Sequence, residues 1–392
     1  MNAVITGIGA LSPLGLDLES FWSALLEEKD CIREGIGAFD ADQWKQIEER
    51  LAATTAIPAG KVARISYLAA EEAMRVAGWD YLDSDDGLIL GTTTGQINHW
   101  EKLLMQSYAR NNFDKFFAAG GISTPGRALH ELCALLNFNG KSMMIVSACS
   151  ASTQAVGIAA EWVKSGRVKR CLVGGAEVLT ALSVEGFRSL GLLANVRSKP
   201  FDEARSGINL SEAAAFYCIE KVSNSSEASR AVAEIKAYAT NSDAYHLTAP
   251  HPEGRGTLKI FEDLLKSAKL NAADIDWIHA HGTASLSNDK AEGQALAKTF
   301  PTTSVTSTKA YHGHSLGAAG ALELAICVQA LRQQLKLKSL GCDNLDPGLK
   351  INIQKNHEKA KINYVLKNSL GFGGINAGII LGHPATMEQS EL

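Results

Sequence analysis

With 392 residues, 46% of them hydrophobic and 20% charged, the chain is long enough for two substantial cores and has the composition of an ordinary globular protein. A formal net charge of -4 argues against a general nucleic-acid binder, and no run reaches the roughly eighteen apolar residues a membrane span needs. The seven cysteines are scattered, odd in number and without a CxxC pair, so neither a disulfide framework nor a zinc or other metal site is expected.

In chain order, AVITGIG opens the list of strands, and the surrounding MNAVITGIGALSPLGLDLES lacks the basic leader of a secretory signal, so a cytoplasmic location is expected. GLILGTTTG, SMMIVSA, RCLVGGAE and AAFYCIEKV follow as short apolar runs, many closing in glycine-rich turns. After SMMIVSA, Ala155, Val156, Ile158, Ala159 and Trp162 recur at helical spacing, which puts Cys149 at a helix start. Unpaired N–H groups and the positive helix end there favour a thiolate. KVSNSSEASRAVAE, around residues 221 to 234, reads as a linker. Beyond it come IDWIHAHG, SVTSTKA, INYVLKNSLGFGG and AGIILG. Strands alternating with helices indicate an α/β architecture with buried sheets.

Two segments share a plan. SMMIVSACSASTQAVGIAAEWVKSG and SVTSTKAYHGHSLGAAGALELAICVQALRQQ each run from strand through a small polar loop into an Ala/Gly-rich helix. A duplication is expected, with residues 1–223 carrying Cys149 and residues 232–392 carrying the second set of polar motifs. That set is His279 and His281 at a strand end, Lys309, His312 and His314 before a helix, and Phe372 among glycines. Two histidines and a lysine beside a cysteine suit acyl chemistry in which a thioester oxygen gains negative charge. HExxH, P-loop and GxSxG motifs are all missing, and TGIGALSPLG lacks the GxGxxG of a dinucleotide fold.

VSACSAS, HAHGTAS, STKAYHGHSLGAAG and NSLGFGGIN, in that order, closely resemble the motif set of the elongating β-ketoacyl-(acyl carrier protein) synthases. VITGIGALSPLG, RSKPFDEARSG and SDAYHLTAPHPEG agree with the same family, so the resemblance spans essentially the whole chain. It implies a thiolase-type layered αβαβα fold of two similar halves, and a dimer of identical or related subunits. It implies decarboxylative condensation of an acyl group with malonyl-(acyl carrier protein), with no cofactor beyond the carrier's phosphopantetheine arm. By the resemblance Cys149 is the nucleophile, and His281 and His314 are the pair that stabilises the malonyl-derived enolate. Lys309 and Glu292 correspond to a supporting ion pair. Phe372 corresponds to a gate whose N–H joins that of Cys149 in an oxyanion hole, and Thr283 and Ser285 to hydroxyls contacting the phosphopantetheine.

Four positions depart from the family pattern. Ser211 and Ala213 stand where glycines are common, Leu370 replaces a phenylalanine, and Ile375 replaces a threonine or histidine. They point to a specialised pathway, of the aryl polyene type, over housekeeping fatty-acid synthesis. Alternatives within reach of the same motifs are a thiolase, disfavoured because no cysteine follows Cys342, a non-catalytic chain-length-factor subunit, disfavoured by Cys149, and an acyl-thioester hydrolase. Carrier proteins are acidic, so docking needs a local basic patch. Lys61, Arg64, Arg127, Lys199 and Arg205 are the candidates.

Overall fold

The strand Ala213–Val222 shows how the sequence builds the sheet. Ala213, Ala215, Tyr217 and Ile219 enter one hydrophobic cluster, while Ala214, Phe216 and Cys218 enter another on the opposite face. Successive side chains alternate sides, and both sides are covered, so the strand reads as an unbroken apolar run.

The structure is a computed structural model describing residues 2–118, 126–222 and 229–387. Its main sheet takes strands β1 (Asn2–Leu11), β2 (Gly87–Gly91), β3 (Lys141–Ile145), β4 (Arg170–Glu177) and β5 (Ala213–Val222) from the first half. The second half supplies β6 (Ala233–Ser242), β7 (Trp277–His279), β8 (Ser304–Thr306), β9 (Asn352–Ile353), β10 (Tyr364–Leu370) and β11 (Ile375–Gly382). Across the sheet they lie in the order β9-β8-β7-β10-β11-β6-β1-β5-β4-β2-β3.

That order contains a repeat. Counted within its own half, β1 to β5 run first, fifth, fourth, second, third, and β6, β11, β10, β7 and β8 reproduce the same series with β9 added at the edge. Strand directions repeat as well. The antiparallel pairs β1–β5 and β5–β4 and the parallel pairs β4–β2 and β2–β3 are matched by β6–β11, β11–β10, β10–β7 and β7–β8. The halves join where Val4 and Ile5 pair with Glu234 and Ala233.

Helices complete the layers. Ala151–Lys164 and Ala319–Gln333 touch strands of both halves and form the middle of the molecule. The helix Lys61–Ala77 covers the outer face of the first half, and Arg255–Ala268 covers that of the second. This is the αβαβα layering of the thiolase-type fold. Small residues let the central helices meet: a Cβ on Gly320 would stand 2.0 Å from Thr153 Oγ1.

Two strands of the main sheet escaped the sequence reading, the two-residue edge strand β9 and β6. β6 begins at Ala233, inside the segment read as linker, because Ala233 and Ile235 pack into the central core. Residues 223–228 of that segment lie outside the described residues. Among the described residues, no helix is long and apolar enough to cross a membrane.

Candidate active site

From the end of β3 the chain passes through Val146 and Ser147 into a 3-10 turn, Ala148–Ser150, and then the helix Ala151–Lys164. Ala148 sits at φ +48, a left-handed backbone that a residue with a Cβ adopts only when its surroundings impose it. That bend presents Cys149 at the head of a central helix. The second half repeats the device: Leu316 at φ +46 opens the turn Leu316–Ala318 ahead of Ala319–Gln333. Gly313, at φ +76, turns the chain so that His314 faces the cysteine.

The thiol and two imidazoles converge in one buried pocket. Cys149 Sγ lies 3.1 Å from His314 Nε2. The rings of His281 and His314 stand edge to face with centroids 5.3 Å apart, and one sulfur or ring-nitrogen atom from each of the three residues falls within 4.8 Å of the others. Burial pushes the Cys149 thiol up to about 12, outweighing the lowering pull of Lys309 and of the Phe372 backbone N–H. The resting group is therefore a protonated thiol. The thiolate expected at a helix start does not form there, because removal from water costs the anion more than the helix end returns.

Burial, and next the charge of Lys309, hold both His281 and His314 well below 6.5, so both rings are neutral at physiological pH. A proton on Nε2 makes each a donor into the pocket. Behind them Thr308 Oγ1 lies 2.9 Å from His279 Nε2 and 2.8 Å from His312 Nε2. Burial lowers this second pair too, to about 3 and about 4. The polar heart of the site thus carries four uncharged histidines.

Its charges sit deeper. Lys309 Nζ donates to the His281 carbonyl at 2.6 Å and pairs with Glu323 on the central helix. The expected Lys309–Glu292 pair is not made. Glu292 instead accepts the backbone N–H groups of His281 at 2.6 Å and Gly282 at 2.8 Å, and the Asn368 amide at 2.8 Å. It clamps the loop that carries His281, whereas Glu323 neutralises the lysine. Lys367, from β10, lies 2.9 Å from the other Glu323 oxygen. Neither Glu323 nor Lys367 figured among the residues expected from the motifs. The available signal was a lone acid in the apolar run AGALELAICVQAL and a lone lysine in YVLKNSL.

At the pocket mouth Phe372 stacks on Phe187 with centroids 5.3 Å apart. Its loop turns through Gly373 at φ +78, whose N–H donates to Leu247 at 2.7 Å. Thr283 and Ser285 line the same pocket, with their hydroxyl oxygens 3.0 Å apart. Of the four departures, Leu370 lines the pocket. Ser211 donates its N–H to the His314 carbonyl at 3.0 Å, and Ala213 pairs across from Glu177. Ile375, at the start of β11, accepts the Gly371 N–H at 3.0 Å.

The basic candidates divide. Lys61 is exposed with its ammonium 4.2 Å over the Trp44 ring. Arg64 pairs with Glu48 at 2.8 Å, and Arg127 pairs with Glu131 at 2.8 Å. Glu131 also accepts the Gly60 N–H, so these three cations share one surface. Lys199 is half-buried. Arg205 is a correction: it is buried and paired with Asp346 at 2.7 Å, so it presents no charge to a partner. Its guanidinium ties its own loop to the Leu345–Pro347 segment.

A buried thiol held against a neutral imidazole pair, on a two-fold repeated αβαβα frame, defines a thiol-dependent acyl-transferring enzyme. Residues 2–62 and 40–225 match the family model described as beta-ketoacyl synthase, N-terminal domain, and residues 232–343 match its C-terminal domain. The chain belongs to the beta-ketoacyl synthase family and is a ketosynthase. A "3-oxoacyl-(acyl-carrier-protein) synthase 2" of Coxiella burnetii is 31% identical over 409 residues, covering 97% of this chain and 98% of that protein. A protein of the same name from Rhizobium meliloti is 29% identical over 421 residues, with 97% and 98% covered. Among solved structures, the ishigamide ketosynthase/chain length factor superposes with a TM-score of 0.88 at 26% identity, covering 97% of this chain and 99% of that one. A ketosynthase of Xenorhabdus doucetiae in complex with its chain length factor shares the fold at a TM-score of 0.82 and 24% identity, with 97% and 98% covered.

Proposed function

We propose that the chain joins an acyl group, held as a thioester on Cys149, to a malonyl unit delivered on an acyl carrier protein, releasing CO2 and 3-oxoacyl carrier protein. The observation that carries this is the Cys149–His314 contact of 3.1 Å with His281 alongside, in a pocket faced by the Phe372 N–H. In the first half-reaction Cys149 Sγ attacks the acyl thioester, and the thiol proton leaves with the departing phosphopantetheine sulfur. The tetrahedral oxygen takes hydrogen bonds from the backbone N–H groups of Phe372 and Cys149. In the second, the malonyl carbon–carboxylate bond breaks to give CO2 and an enolate whose oxygen accepts from His281 and His314. The enolate carbon then attacks the Cys149 thioester, forming the carbon–carbon bond and freeing the cysteine sulfur as a thiolate, which takes one proton from solvent. Neutral histidines suit this role, because a donor that stays neutral adds stabilisation as the oxygen becomes negative.

Thr283 and Ser285 at the mouth are the hydroxyls for the phosphopantetheine arm, and the Lys61–Arg64–Arg127 surface is where an acidic carrier docks. The open edge of β3, with Val146 half exposed, supports a dimer formed with a second copy or a related subunit. Leu370 at the pocket wall supports a specialised acyl chain of the aryl polyene kind. The test is intact-mass spectrometry after mixing with acyl carrier substrate. Wild type should gain one acyl mass and Cys149→Ala none, while Cys149→Ala should still release CO2 from malonyl carrier. Acylation persisting in Cys149→Ala would sink the assignment.

A further inference from the structure

Lysine is seldom buried without a partner of its own, yet two lysines here share one glutamate. Lys309, Lys367 and Glu323 are all essentially inaccessible to water. Lys367 also donates to the carbonyl of Asn368, and at 3.0 Å to Ser369 Oγ, which in turn lies 2.8 Å from Thr153 on the nucleophile's helix. Side chains alternate along β10, so Lys367 and Ser369 face the two central helices while Asn368 turns the other way to reach Glu292. Three consecutive residues thus hold the glutamate behind Lys309, the glutamate behind His281, and the helix behind Cys149.

We propose that Lys367 is a positioning residue for the condensation: its ammonium shares Glu323 with Lys309, leaves this buried trio with one uncompensated positive charge, and turns that charge on the histidine pair. The charged and titratable groups around it are consistent with that assignment. The central helix contributes Glu323 and Cys327, the short helix Lys309–His312 contributes Lys309 and His312, and β7 contributes His279. Beyond Asn368 stands Glu292, held by backbone donors and by Asn368, whose charge acts on Lys309 and offsets part of this excess. Lys367 acts on His281 and His314 in the same sense as Lys309, opposing their protonation. The same excess charge lowers the energy of an enolate or tetrahedral oxyanion forming in front of the histidines.

The proposal rests on the condensing reading and separates a functional from a structural lysine. In Lys367→Met the Lys309–Glu323 pair remains balanced and a methionine fills the space, so the thermal midpoint should equal or exceed that of wild type. Condensation should fall by about tenfold or more, with kcat affected more than KM. In a Cys149→Ala background, which isolates malonyl decarboxylation, adding Lys367→Met should move the acid limb of the pH profile upward by about one unit. Lys367→Arg, keeping the charge, should leave that limb in place. An unshifted limb in Lys367→Met, or a variant that no longer folds, would overturn the proposal, the second outcome making the lysine a structural prop. Failure of the condensing reading is told apart by its own sign: the parent Cys149→Ala protein would then release no CO2 from malonyl carrier, and the proposal would fall with it.

Discussion

At the scale of single residues, the site depends on keeping ionisable groups uncharged. The Cys149 thiol is protonated at rest and its proton leaves with the departing sulfur during attack, while the neutral His314, 3.1 Å away, is held as a donor for the enolate of the second half-reaction. His314→Ala should therefore lower condensation by about a hundredfold to a thousandfold, the usual cost of one oxyanion donor, while acylation of Cys149 stays measurable by mass spectrometry. The imidazoles define a pH window. A base whose pKa is depressed stays neutral down to that lower value, so His281 and His314, held well below 6.5, do not charge as the pH falls through it. Malonyl decarboxylation by Cys149→Ala should be flat from pH 8 to about 5.5; an inflexion near 6.5 would show ordinary histidines. Cys149, His281, His314 and Lys309 were legible because each sits in a short motif of small and polar residues. Glu323 was not, since a helix buried all round shows no polar face to mark where one acid belongs. Arg205 was misread for a related reason: a cation in a loop is written the same way whether it meets solvent or, as here, Asp346.

At the scale of elements, the site is held by close backbone approach. The two central helices meet at Gly320 and Thr153, where an added Cβ would stand 2.0 Å from the threonine oxygen. Ala321 N–H also donates to Ser152 Oγ at 2.8 Å, across the same contact. Gly320→Ala should destabilise the fold by about 1–3 kcal/mol, read as a lower urea midpoint at unchanged m-value. Activity should fall with it, because the two helices carry Cys149 and Glu323. A variant as stable as wild type would mean the helices separate without cost. Most strands were readable as apolar runs between glycine-rich turns. β6 was missed because the run of polar residues ahead of it drew the boundary too far along, and its core-facing residues are mainly small alanines.

For the whole molecule, the repeated strand order places two equivalent strand–turn–helix units face to face, one carrying Cys149 in its turn and the other carrying His314 in the connection before its helix. The loose sequence likeness between SMMIVSACSAS and SVTSTKAYHGHS hinted at this, but strand direction and order, which no single segment encodes, make it plain. Charge bears on assembly: a chain of net charge -4 meets an acidic carrier only through a local patch, and the proposal above puts that patch at Lys61, Arg64 and Arg127. The most direct measurement of the central claim is the mass of the carrier-bound product after one turnover with acyl and malonyl carrier proteins. The structure predicts an acyl chain longer by two carbons and bearing a 3-oxo group, with one CO2 released per chain extended. A free fatty acid with unextended carrier would instead identify a hydrolase, and no change in either carrier would leave a structural subunit.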